Sequence, residues 1–255
     1  MDLYVTESGL FGAPMVLFLH GSPLSSKMWQ PQFESMSDFH NVAPDFPGHG
    51  QSAAITHFTR QEVVETLIQL IRQTSPNGKT HLVAFSSGTM IAQALMVAAP
   101  QLLDRVVLFD ASFSMSRLWA LAHGINLAWL YFLKPERVGW MVSEQFGIPS
   151  ETRIKYYEDF RQYSLSGYMQ TWRTYTDIKI PSTAESPTLV VVGEKENQAM
   201  KKKALVLSHK LPNGRGIIVP QMGSGWILQQ PELTNQIIRA WLTNHLLPAG
   251  LDPLE

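Results

Sequence analysis

The residues best able to do chemistry lie in one stretch, His81-Leu82-Val83-Ala84-Phe85-Ser86-Ser87-Gly88-Thr89-Met90-Ile91-Ala92. An apolar run of strand type stops at Ser86-Ser87-Gly88, and Ile91, Ala94, Leu95 and Ala98 then recur at helical spacing. A serine at such a strand-to-helix turn is held out from the end of a sheet. The helix behind it aims free N–H groups and its positive dipole end at whatever the serine attacks. That is the mechanics of the G-x-S-x-G nucleophile elbow. Here the pattern reads Ala84-Phe85-Ser86-Ser87-Gly88, with alanine, the mildest departure, in place of the first glycine. Short Ser-Gly turns also occur as plain βα connections, so the surrounding elements must decide.

Those elements alternate. Residues 3–6 read as a first strand, and Pro14 to Leu19 as a buried strand running into His20-Gly21-Ser22-Pro23. Trp29 to Met36 reads as a helix. A strand ends at Val42-Ala43, ahead of the Gly/Pro-rich loop Asp45 to Ser52. Val63, Val64, Leu67, Ile68 and Ile71 mark a helix, and Val106 to Phe109 a strand ended by Asp110. From about 114 to 183 the pattern changes to aromatic- and Met-rich segments without a convincing strand. Helices are expected over Met115–Leu133, over Val138–Phe146 and after Ser150-Glu151-Thr152. Alternation returns with the strand Pro187 to Gly193, a helix carrying Met200, Ala204, Leu207 and Leu211, the strand Gly216 to Pro220, and a closing helix with Ile237, Ile238, Trp241 and Leu242. The expected organisation is an α/β core over 1–112 and 184–255, interrupted by a helical cap over 113–183. The tail from Leu247, with two prolines, is expected to be loose.

Composition narrows the function classes. The 255 residues are 45% hydrophobic and 16% charged, with a net charge of −1, which suits a folded core and offers nothing to nucleic acid or an anionic membrane. There is no cysteine, so disulfides, thiolate metal sites and cysteine nucleophiles are excluded. No apolar stretch reaches the roughly 18–20 residues of a membrane span, and no signal peptide is visible, so a cytoplasmic protein is expected. No metal, flavin, nicotinamide or phosphate site is apparent, and no cofactor is expected.

In a parallel sheet, sites form at the carboxyl ends of the strands. His20 to Pro23, the Ser86 turn, Glu194 to Asn197 and Gln221 to Trp226 all fall there. With Asp45 to Ser52, these segments resemble the α/β-hydrolase family, in family order and over nearly the whole chain. The arrangement is most similar to serine esterases and lactonases with a helical lid. The resemblance implies a mostly parallel central sheet flanked by helices, with Ser86 as nucleophile. It implies an oxyanion hole of the Ser87 and Ser22 backbone N–H groups; Pro23 has no N–H to offer. It places the acid three residues after Gly193, at Glu196. Asp110, at the end of the preceding strand, is the main alternative, and Glu194 a lesser one.

The base departs from the pattern. The family's histidine lies in the loop after the last strand, and that position here is Ser224, between Gly223 and Gly225. A serine cannot act as a general base at neutral pH. Among the eight histidines, His20 and His49 fit structural and positioning roles in their loops. His40 and His81 fall at strand starts, His57 in a surface loop, and His209 and His245 on outer helices. His123, in the cap, could overhang Ser86. The expected chemistry is carboxylic-ester hydrolysis through a Ser86 acyl-enzyme, crippled because position 224 is serine, through engineered replacement or natural loss. The alternative is a non-catalytic protein holding a small apolar ligand under the cap. The expected partner is a small apolar ester-like molecule.

Overall fold

The structure is a computed structural model that describes residues 1–111, 118, 132–145, 148, 159 and 164–255. Eight strands form one sheet in the order β1-β3-β2-β4-β5-β6-β7-β8. They are β1 Val5–Gly9, β2 Met15–Leu19, β3 His40–Pro44, β4 Thr80–Phe85, β5 Leu103–Phe109, β6 Thr188–Gly193, β7 Gly214–Val219 and β8 Asp252–Pro253. β1 and β8 are antiparallel edges, and every pairing between them is parallel.

A parallel sheet covered on both faces needs continuous apolar strands. β2, β4 and β6 are buried at every residue. Their alternate side chains feed two cores. Leu17, Leu82, Ala84, Leu108 and Val190 pack in one, and Val16, Phe18, Val83, Phe85, Val107 and Val191 in the other. Each fully buried aliphatic or aromatic side chain contributes about 1.5–3 kcal/mol, so the central strands hold the scaffold rigid beneath the loops they carry.

The helices α1 Gln30–Ser35, α2 Arg60–Thr74, α3 Gly88–Ala98, α6 Gln198–Lys210 and α7 Pro231–Leu242 cover the two faces. Val63, Leu67, Leu95 and Leu207 supply the first core from α2, α3 and α6, and Phe33, Ile237 and Ile238 the second from α1 and α7. Thr59 and Glu62 form a reciprocal capping box at the start of α2. Asn197 caps α6 by accepting from the Met200 N–H.

Between β5 and β6 lie α4 Pro135–Gln145 and α5 Leu165–Thr174. The expected helix over 115–133 falls almost wholly outside the described residues, as do His123 and the Ser150-Glu151-Thr152 cap. α5 is seated on the Asp45–Ser52 loop: a Cβ on Gly167 would lie 2.5 Å from Gly48 Cα. Gln170 Nε2 donates to Phe58 O at 2.7 Å, and Arg60 Nη1 to Thr174 O at 2.9 Å.

The C-terminal tail overturns one expectation. It is not loose: β8 pairs with β7, Leu254 N donates to Gly216 O at 3.2 Å, and the Leu254 side chain is 7% exposed. Leu247, Leu251 and Leu254 hold the tail against the two cores, and Pro248 and Pro253 read in the sequence as breaks that hide this.

Candidate active site

The β4–α3 turn has the geometry of an elbow. Ser86 adopts φ 50, a left-handed conformation that a non-glycine residue holds only at a cost of about 1–3 kcal/mol. Its N–H continues the sheet by donating to Phe109 O at 2.9 Å. Gly88 must be glycine, because a Cβ there would lie 2.4 Å from His20 O and 2.7 Å from Leu19 O. Gly21 lets the neighbouring turn come close: a Cβ on it would be 3.1 Å from Ser86 Cβ. The Ser87 N–H, at the start of α3, meets no acceptor among the described residues.

The His20–Pro23 turn is held from behind by imidazoles. His20 Nε2 accepts from Phe46 N at 2.9 Å, and its Nδ1 lies 3.2 Å from Gly21 O. Both ring nitrogens are thus engaged, and burial lowers the His20 pKa despite the nearby Asp45 charge. His49 bridges Pro47 O through Nδ1 at 3.0 Å and Ser22 Oγ through Nε2 at 2.8 Å. Burial, followed by the neighbouring His20, pushes its pKa down to about 3. These are neutral positioning groups. None of the described hydrogen bonds joins an imidazole to the Ser86 hydroxyl.

Ser22 contributes an unforeseen contact. Its N–H donates to the Ser87 hydroxyl oxygen at 2.7 Å. Ser87 is 5% exposed, and Tyr175, just past α5, is 1% exposed. Burial pushes the Tyr175 pKa up. No sequence signal joins these three residues, because they come from loops 65 or more positions apart.

The loop after β7 closes the site from the other side. Lys195 N donates to Met222 O at 2.7 Å, and Gln221 N to Glu194 Oε2 at 2.7 Å. A Cβ on Gly193 would lie 2.5 Å from Met222 O, so this loop rests against bare backbone. Trp226 anchors its far end, edge-on to Phe109 with ring centres 5.7 Å apart. Ser224 is exposed between these anchors.

The two carboxylates differ in their surroundings. Glu196 is 8% exposed, and its Oε1 accepts from Asn197 N and Nδ2, both at 2.8 Å. Asp110, at φ 50 like Ser86, is buried at the end of the adjacent strand. Its Oδ2 accepts from Gly225 N at 2.9 Å, one residue from position 224, and its Oδ1 has no hydrogen-bond partner among the described residues. Burial pushes its pKa up to about 7, against the Gly225 bond and with help from the Glu196 charge. The structure therefore brings Ser86, Ser87, Asp110 and the 224 loop to the carboxyl ends of neighbouring strands. Glu194 spends a carboxylate oxygen on Gln221, and Lys195 is exposed.

A surface cavity of about 450 Å³, lined by Lys79, Pro100, Asp104 and Glu185 among others, lies at the opposite ends of the strands. Open α/β sheets carry their chemistry at the carboxyl ends, so this cavity is not the site. Of the aromatic residues expected in the cap, Trp119, Trp129 and Tyr131 lie outside the described residues. Trp172 is buried in the first core, while Phe132 and Trp140 are exposed. Among the described residues no group of His, Asp and Glu could hold a metal ion, and no helix is long and apolar enough to cross a membrane.

An elbow at the centre of an eight-stranded, mostly parallel sheet defines a class, and the chain belongs to it: residues 16–237 match the alpha/beta hydrolase family. It is 27% identical over 243 residues to the (E)-2-((N-methylformamido)methylene)succinate hydrolase of Acinetobacter baylyi, covering 91% of this chain and 90% of the relative. Among solved structures it is similar to the enol-lactonase of Burkholderia xenovorans LB400, with a TM-score of 0.79 at 16% identity over 94% of this chain and 96% of that one. It is also similar to a thermophilic esterase from Thermogutta terrifontis, with a TM-score of 0.77 at 23% identity over 95% of this chain and 93% of that one. At such identities the structural likeness shows the fold. Taken with the family match, it supports hydrolase chemistry on small molecules.

Proposed function

We propose that this chain is a carboxylic-ester hydrolase framework in which Ser86 is the nucleophile and position 224 the place of the base. The observation that carries the reading is Ser86 itself, held in the left-handed region at the head of α3 beside the Ser87 N–H, which meets no acceptor among the described residues. Asp110 is the better candidate for the acid. It is buried, it reaches the backbone beside residue 224, and one of its oxygens has no partner among the described residues. Glu196 spends an oxygen on its own neighbour and acts on Asp110 through its charge. The segment 113–183 fits a cap over this site, with α5 as its fixed edge.

In the mechanism this implies, the Ser86 oxygen attacks an acyl carbon and loses its proton, and donors at the head of α3 meet the developing oxyanion. With serine at 224, no imidazole among the described residues takes that proton. Losing an essential member of such a triad costs on the order of 10⁶ in turnover, or about 8 kcal/mol of barrier. The remaining donors and binding contacts sustain roughly 10³–10⁴ over water. The protein is therefore a crippled hydrolase.

The test is Ser224→His, assayed on p-nitrophenyl acetate and butyrate. A gain of at least roughly a hundredfold, a modest share of the triad's worth, is expected, and Ser86→Ala in that background should abolish it. Absence of that gain would overturn the assignment of position 224. Full activity in the parent protein would overturn the inactivity.

A further inference from the structure

One tetrapeptide pattern occurs twice in the chain. Pro76-Asn77-Gly78-Lys79 leads into β4, and Pro212-Asn213-Gly214-Arg215 opens β7. In an Asn-Gly pair the glycine has no side chain, so its own amide nitrogen can approach the asparagine carboxamide carbon. Attack there closes a five-membered imide. In sequence the two sites are equivalent, since a proline precedes and a cation follows each. The fold makes them different.

At Asn213 every group that this reaction needs is engaged. Gly214 N, the attacking atom, donates to Leu211 O at 3.1 Å. Asn213 Nδ2, the leaving group, donates to Glu185 O at 2.7 Å. Asn213 O accepts from Thr188 N at 3.0 Å, and Gly214 pairs with Thr188 in the β6–β7 ladder. Gly214 is also packed, because a Cβ on it would lie 2.1 Å from Ser208 O. Turning the carboxamide onto Gly214 N breaks the bonds that start β7.

At Asn77 the same groups are open. Gly78 N lies 3.5 Å from Ser75 O, beyond the usual length of an amide hydrogen bond. Nothing lies within 4 Å of where a Gly78 Cβ would be. The described bonds of the Asn77 side chain are all to its oxygen: Oδ1 accepts from Lys79 N at 3.0 Å, and Ser75 Oγ lies 3.0 Å away. The Lys79 N–H thus faces the oxygen on which negative charge develops when Gly78 N attacks, and a donor so placed lowers the barrier. Asn77 is exposed, so water and base reach it.

We propose that Asn77 is a modification site that deamidates in the folded protein to aspartate and isoaspartate, while Asn213, in the same sequence context, does not. The Gly78 N–H gives its proton to hydroxide, and the nitrogen bonds to Asn77 Cγ. The tetrahedral intermediate collapses as Nδ2, protonated by water, leaves as ammonia. Water then opens the imide at either carbonyl. One opening leaves aspartate in the original main chain. The other leaves isoaspartate, which lengthens the main chain by one methylene ahead of β4, the strand that leads to Ser86. Either product adds one negative charge to a chain of net charge −1. This inference is independent of the reading of Ser86 as nucleophile.

Trypsin reports both sites in one digest: cleavage after Arg72 and Lys79 releases residues 73–79, and cleavage after Lys210 and Arg215 releases residues 211–215. The parent protein is held folded at pH 8, sampled over days and read by mass spectrometry. The acid form of 73–79 should accumulate at least about tenfold faster than that of 211–215, the order of what one or two retained hydrogen bonds are worth. In urea the two rates should converge, since only the fold separates them. Electron-transfer fragmentation should find both aspartate and isoaspartate at position 77. Asn77→Gln, whose longer side chain closes the ring far more slowly, should keep its charge on native isoelectric focusing through the same incubation. Equal rates in the folded protein, faster conversion at Asn213, or no conversion at Asn77 overturns the proposal. Aspartate alone at position 77 overturns the imide route, and a rate difference that persists in urea overturns the role of the fold.

Discussion

Asp110→Asn tests the energetics of the site directly. Burial pushes the Asp110 pKa up to about 7 from an ordinary value of 3.8. Between those values the unfolded chain has released the proton and the folded chain has kept it. The carboxyl therefore costs nothing below about pH 4, destabilises progressively as the pH rises to 7, and does so by a constant amount above it. Over roughly three pH units, at about 1.4 kcal/mol each, the penalty reaches about 4 kcal/mol. Asparagine cannot ionise, and its oxygen can still accept from Gly225 N. Its amide group would replace the unpartnered Oδ1, at a cost of about 1–3 kcal/mol. The variant should thus be less stable than the parent by that amount at pH 4 and more stable by about 1–3 kcal/mol at pH 8. Urea unfolding at pH 4, 6 and 8, followed by tryptophan fluorescence, measures the difference. Asp159, whose pKa is pushed up to about 6, is present in both proteins and cancels. A stability difference that stays flat from pH 4 to 8 would refute the argument.

Two further substitutions examine the scaffold. Gly88→Ala should destabilise the protein by at least about 2 kcal/mol, because both atoms its Cβ would strike are backbone carbonyls of the β2–turn junction. Gly78→Ala, at φ 72 but with nothing within 4 Å, should lose less, and thermal unfolding of the pair separates close packing at Gly88 from backbone strain at Gly78. Leu254→Ala should cost about 2 kcal/mol through the lost anchor of β8, read as a lower urea midpoint with an unchanged slope.

Much of the architecture is legible in the sequence, because a doubly covered parallel sheet writes its strands as unbroken apolar runs and its sites as the polar breaks that follow. Pro14 to Leu19 followed by His20, and His81 to Phe85 followed by Ser86, are of this kind. The proposed acid is less legible. Glu196 and Asp110 follow adjacent strands, and the fold of the Gln221–Trp226 loop, with its Gly225 N–H turned onto Asp110, is what favours Asp110 in the proposal. The bond from Ser22 to Ser87 is not legible at all, since two serines 65 residues apart carry no pattern that pairs them.

The energetics of the site point the same way as its geometry. Ser86 and Asp110, neighbours at the ends of β4 and β5, are both held at φ 50. Each such residue costs about 1–3 kcal/mol, and Asp110 adds the penalty of a buried carboxyl with an unpartnered oxygen. Fold stability alone would be served by relaxing all three. Their concentration at one spot is the mark of a site where geometry matters more than stability. On the proposed assignment, an imidazole at position 224 would accept the proton from Ser86 and give Asp110 the positive partner that lowers its pKa. On that assignment the serine found there does neither.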